Sequence, residues 1–149
     1  MLQCSPLKVL VVEDQALLAM ELEYVLRELG HQVVGCAQDF RSAEMLAETA
    51  EPEVALVDLN LRDGPSGPRI ADALHGRFGV AVIFLTANPE QVSKGLDGAV
   101  ALMLKPFDPE TLAGAVAFAG RFRREGRLDD PPIKLRIAPR LRDIGQLPG

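Results

Sequence analysis

The chain has 149 residues, 25% charged and 48% hydrophobic, proportions of a single folded domain rather than of a disordered or fibrous chain. A formal net charge of -5 argues against a dedicated nucleic-acid binder, which needs clustered Lys and Arg. No apolar run reaches the roughly 20 residues of a membrane span, and MLQCSPLK lacks the charged start and apolar core of a signal peptide, so a cytoplasmic location without membrane contact is expected.

In chain order, residues 1–6 form an extension before LKVLVV (7–12), a short β-branched run that reads as a first strand. Residues 15–29 then carry Leu18, Leu22, Val25, Leu26 and Leu29 on one helical face, with Gly30 as a stop signal. QVVGCA (32–37) reads as a second strand, a helix follows from about Ser42 to Ala50, and VALVD (54–58) is the third strand. Asp63-Gly64-Pro65 marks a turn. Ser66 is a candidate N-cap for a helix with Ile70, Ala73 and Leu74 inward, ending near Gly76. VAVIFL (80–85) is the most continuous apolar strand. Residues 88–96 suffice only for a short helix, residues 100–104 form a fifth strand, and Pro109 opens a last helix to about Arg124. Cys4 and Cys36 have no metal-like spacing and no neighbouring His, so both are expected as reduced thiols.

Five near-continuous apolar strands separated by helices specify an α/β fold: a parallel sheet covered by helices on both faces. Right-handed crossovers bring all strand C-termini to one edge, where functional groups gather. Four strands end in polar groups: Glu13-Asp14, Asp58, Thr86 and Lys105-Pro106. Each alone has an ordinary explanation as a cap or turn residue. Together they place three carboxylates, a hydroxyl and an ammonium at one sheet edge. Converging carboxylates raise one another's pKa or hold a cation, and oxygen ligands without nearby His or Cys suit Mg2+. A carboxylate can also attack phosphorus to form an acyl phosphate, with Mg2+, Lys and a hydroxyl stabilising the phosphoryl oxygens. The outline is that of a phosphoryl-transfer site.

VLVVEDQ, VALVDLNL, IFLTA and LMLKPF, in this order and spacing, resemble the receiver domain of bacterial two-component response regulators, over about residues 7–124. The resemblance implies a flavodoxin-like doubly wound sheet with strand order 2-1-3-4-5, and a phosphoryl group received from a histidine kinase or phosphotransfer protein. It implies Asp58 as phosphoacceptor, Asp14 as a direct Mg2+ ligand, Glu13 acting through a metal-bound water, and the Asn60 carbonyl completing the ligands. Thr86 would bond a phosphoryl oxygen, Lys105 would pair with the phosphoryl group or with Asp58, and Ala87 would leave access open. The Lys105-Pro106 bond resembles one that is cis in the family.

Three features depart from the family pattern and resemble a subset of receivers found in alphaproteobacteria. Leu102 stands where the switch aromatic is usual. Thr86 and Lys105 are only 19 positions apart, which implies an abbreviated or irregular fourth helix. Arg62-Asp63-Gly64-Pro65 also differs from the common turn after the acceptor. In the last helix, Leu112, Val116 and Ala119 form an inward stripe. Ala113, Ala117, Phe118 and Phe122 mean either deeper burial or a packing face for a partner or second copy.

Residues 125–149 are Pro-rich and without sustained period, and are expected as a tail with no output domain. The other reading of that tail is IKLRI as an extended strand against the domain or a partner. The leading function is therefore a phosphorylation-controlled signalling module with slow self-dephosphorylation and no conventional substrate turnover, acting on a downstream protein target. The alternative is a receiver-like module signalling by protein contacts with little or no phosphorylation. An Asp-dependent phosphatase is disfavoured because its usual second Asp, two residues after the nucleophile, is Asn60 here. A nucleotide-binding reading lacks a glycine-rich loop after the first strand.

Overall fold

The computed structural model describes residues 5–61, 66–88, 90, 96–126 and 134–141. Its elements are β1 (Lys8–Val12), α1 (Ala16–Glu28), β2 (Gln32–Ala37), α2 (Phe40–Ala50), β3 (Val54–Asp58), α3 (Gly67–Phe78), β4 (Ala81–Thr86), β5 (Ala101–Leu104), α4 (Pro109–Glu125) and β6 (Leu135–Ile137). One sheet has the order β2-β1-β3-β4-β5-β6. The first five strands are parallel in the expected order, while β6 runs antiparallel against β5.

The sixth strand corrects the five-stranded expectation, and it replaces the reading of the tail as unstructured for residues 134–141. Leu135 and Ile137 alternate with the exposed Arg136, the period of a half-buried strand. Pro139 lies outside the paired residues and removes no ladder donor.

Every residue of β3 and β4 is buried, as strands covered on both faces require. Helix α1 lies over β1 and β2, α2 and α3 pack side by side, and α4 covers β3, β4 and β5. Helix α2 starts two residues before Ser42 because Asp39 and Ser42 form a reciprocal capping box, with Asp39 Oδ1 accepting from the Ser42 N–H at 2.8 Å. Helix α3 passes through the exposed Gly76 and stops at Gly79, whose φ of 66° supplies the left-handed terminus. Leu29 sits at the C-cap of α1 and is exposed rather than inward.

Of the two readings of the last helix, the one with deeper burial holds for α4. Phe118 is buried beside Leu112, Val116 and Ala119, and Phe122 packs against the core while half-buried. Gly120 permits this depth: a Cβ there would lie 2.5 Å from Leu7 Cδ1. Cys36 is a free thiol on β2. The turn at 62–65, Cys4 and most of the expected short helix at 88–96 lie outside the described residues.

Candidate functional site

The strand ends converge as the alternating pattern requires. Glu13 and Asp14 follow β1, Asp58 ends β3, Thr86 ends β4 and Lys105 follows β5. Glu13, Asp14, Asp58 and Thr86 are all buried, and the Lys105 side chain keeps 22% exposure. Since β1 and β3 are neighbours at the point where the strand order reverses, the acid pair and Asp58 flank the crevice such sheets use for ligands.

Lys105 Nζ lies 3.2 Å from Asp58 Oδ1 and 3.4 Å from Glu13 Oε1, bridging two strand ends. Asp58 Oδ1 also accepts the Asn60 N–H at 3.2 Å, and Glu13 Oε2 accepts the Gln15 N–H at 3.2 Å. Burial raises the Glu13 carboxyl above its usual range, reinforced by its hydrogen bond and charge repulsion with Asp58. The Gln15 N–H and Lys105 pull it the other way. The site is thus short of positive charge even with the lysine in place.

Asp58 Oδ2 is the one buried side-chain oxygen or nitrogen among the described residues without a hydrogen-bond partner. A buried, unsatisfied carboxylate oxygen is costly unless something fills its place. Glu13, Asp14 and Asp58 each offer an oxygen, and these lie within 4.8 Å of one another. An all-oxygen acidic set with an orphaned oxygen fits a hard divalent cation such as Mg2+.

Thr86 Oγ1 accepts the Asn88 N–H at 2.9 Å, so the hydroxyl already ties down the start of the following loop. The Lys105 N–H donates to the Thr86 carbonyl at 2.8 Å, coupling the two loop origins. The Lys105-Pro106 peptide is cis. Leu102, in the place expected for a switch aromatic, is fully buried on β5. Asn60 is exposed, and its backbone N–H is the group the structure puts on Asp58.

One feature beside the site was not extracted from the sequence. A largely apolar groove of about 670 Å³ opens next to Glu13, Ala87 and Lys105, between α1 and the start of α4. Leu17, Met20 and Tyr24 line it while 70%, 66% and 67% exposed. Their spacing of three and four residues was the available signal, a second apolar face on a helix whose first face is already buried.

The family model for the response regulator receiver domain matches residues 9–117. The chain belongs to this family. The phyllosphere-induced regulator PhyR of Methylorubrum extorquens is 36% identical over 122 residues, covering 80% of this chain and 46% of that protein. The transcriptional regulatory protein PdtaR of Mycobacterium tuberculosis is 36% identical over 124 residues, covering 79% and 59%. The chain therefore spans about half the length of the curated relatives it matches. The receiver domain of Erythrobacter litoralis PhyR superposes with a TM-score of 0.72 at 32% identity, covering 86% of this chain and 96% of that one. A PhyR from Bartonella quintana, solved in complex with the anti-sigma factor NepR, matches over 53% of this chain and 33% of that one with a TM-score of 0.51. These relatives are regulators by name. As in the sequence, no described helix of this receiver is long and apolar enough to cross a membrane.

Proposed function

We propose that this receiver is a phosphoacceptor signalling module that takes a phosphoryl group on Asp58 and passes the change on through protein contacts. The observation that carries this is the buried Asp58 carboxylate, with Oδ1 held by Lys105 and the Asn60 N–H and Oδ2 unpartnered beside Glu13 and Asp14. Of the three acids, Asp58 is the one with a buried oxygen that has no hydrogen-bond partner. An Asp58 oxygen attacks phosphorus while the bond from phosphorus to the donor, a phosphohistidine nitrogen in a kinase or phosphotransfer protein, breaks.

Asp14 and Asp58 would hold Mg2+ directly, Glu13 through a water, and the Asn60 carbonyl would complete the protein's ligands. The ion supplies neutralisation of the developing phosphoryl charge. Lys105 exchanges its contact with Asp58 for a phosphoryl oxygen, and the Thr86 hydroxyl donates to another while still accepting from Asn88. Ala87, small and lining the groove, leaves the phosphoryl path open. The apolar groove along α1 and α4, with the acceptor site at its end, suits the helix of a phosphodonor protein: Leu17, Met20 and Tyr24 present one exposed stripe toward it. All of these contacts are compatible with a cytoplasmic protein.

The test is incubation with Mg2+ and acetyl phosphate, read by intact mass. One HPO3 increment is expected on the wild-type chain, and none on Asp58→Ala or without Mg2+. An increment that persists in Asp58→Ala would refute the acceptor. A wild-type chain that gains none at any donor level would favour the reading in which protein contacts alone carry the signal.

A further inference from the structure

Leu102 leaves this receiver without an aromatic side chain on β5 to report the state of the site, yet β5 has another neighbour. Its outer edge is covered by residues 134–141, with Ala101, Leu102 and Met103 in register with Ile137, Arg136 and Leu135. The Ala138 N–H extends the ladder by donating to the Val100 carbonyl at 2.9 Å. Leu135, Ile137, Ala138 and Leu141 are buried. This short segment is gripped at both ends. Arg140 donates from Nη1 to the Leu96 carbonyl at 3.2 Å and from Nη2 to the Ala99 carbonyl at 2.6 Å. At the other end Lys134 Nζ lies 3.2 Å from Asp108 Oδ2, on the residue that caps α4.

These anchor points have specific positions in the chain. Leu96 to Ala99 close the loop that begins directly after Thr86, and Asp108 lies three residues after Lys105. The segment therefore ties together the two loops that leave the two non-acidic site residues. Leu96 is itself in a left-handed conformation, φ 53°, while almost fully buried. A Leu occupies that region only when its surroundings hold it there. The grip of Arg140 on its carbonyl is part of that hold.

We propose that residues 134–141 form a strap that reads the state of Asp58: the strap fits the unmodified site, and phosphorylation loosens it. The proposal rests on the phosphoacceptor reading above. When the Thr86 hydroxyl turns to a phosphoryl oxygen, the Asn88 amide bonded to it is drawn along, and Lys105, bonded through its own N–H to the Thr86 carbonyl, shifts with it. Both ends of the loop pair then leave the positions that Arg140 and Lys134 hold in the unmodified chain. By linkage the effect is reciprocal: a strap that disfavours the modified site loses hold when the site is modified, and weakening the strap favours modification.

The experiment uses the full chain with Mg2+ and acetyl phosphate, phosphorylation being followed by intact mass and amide exchange by peptide-resolved hydrogen exchange. Exchange in 134–141 is expected to speed up by about fivefold or more on phosphorylation, the low end of measured site-to-site couplings. In a separate titration with beryllofluoride, Arg140→Ala is expected to bind tighter than wild type by a similar factor of about five. A phosphorylated chain whose strap exchanges as in the unmodified one, with unchanged beryllofluoride affinity in Arg140→Ala, overturns the coupling alone. A chain that gains no HPO3 increment overturns the phosphoacceptor reading, and the strap's role with it.

Discussion

Replacing Lys105 with Met keeps much of the side chain's length and removes its charge, leaving Glu13 and Asp58 buried side by side without their shared cation. At separations of 3.2 and 3.4 Å and an effective dielectric of about 20, each contact is about 5 kcal/mol before desolvation is subtracted. Removing one member of a buried ionic cluster costs about 3–5 kcal/mol, and the 22% exposure of Lys105 argues for the lower end, about 3. For a chain of this size that is a fall of about 6–12 °C in midpoint temperature. The cost should depend on pH in a defined direction. The Glu13 carboxyl is raised in the folded state, so its ionisation costs nothing below its unfolded value and accrues as pH rises through the folded one. Lys105 opposes that rise, so Lys105→Met extends it. Thermal unfolding of both proteins across pH, without phosphodonor, should show a gap that is small in acid, widens toward neutral pH, and narrows again with saturating Mg2+. A gap independent of both pH and Mg2+ would refute the idea that Lys105 acts by compensating these carboxylates.

Two further outcomes test the fold that positions the site. His31 Nδ1 accepts the Leu7 N–H at 3.1 Å, and burial, then the charge of Arg124, lowers its pKa from the usual 6.5. Because the folded state binds that proton less readily, stability should be full above 6.5 and fall as pH drops through the lowered value, a slope that urea titrations should find flattened in His31→Gln. In Gly120→Ala, the gain of up to about 1 kcal/mol in helix propensity should be outweighed by overpacking of about 1–3 kcal/mol against Leu7, giving net destabilisation in denaturant titrations. A more stable Gly120→Ala would show that α4 and Leu7 can separate without penalty.

The convergence of the candidate site residues was legible because they sit at the ends of strands whose apolar runs are unmistakable: LKVLVV, VALVD and VAVIFL fix where each strand stops, and parallel topology brings those stops together. Helix boundaries were less legible where a cap or terminator had a competitor. Ser42 reads as a helix start until Asp39 is seen to share a capping box with it, and Gly76 reads as a stop until Gly79 takes the left-handed turn. Strand β6 was hardest to read. Three residues among prolines carry too little period to be distinguished from a loop, and their pairing with β5 is set by contacts more than 30 positions away in the chain. The depth of α4 was likewise undecidable from its own residues, because it depends on the space Gly120 leaves for Leu7. The exposed stripe of Leu17, Met20 and Tyr24 was present in the sequence but overshadowed by the stronger inward face of the same helix.

Asp58 as phosphoacceptor is tested most directly by locating the acyl phosphate itself. After reaction with Mg2+ and acetyl phosphate, borohydride reduction converts a phosphorylated aspartate to homoserine, which peptide mass mapping can place to a single residue. Homoserine is expected at position 58 alone. Reduction product at Asp14 or Glu13, or at no position in a chain that carries the HPO3 increment, would contradict it.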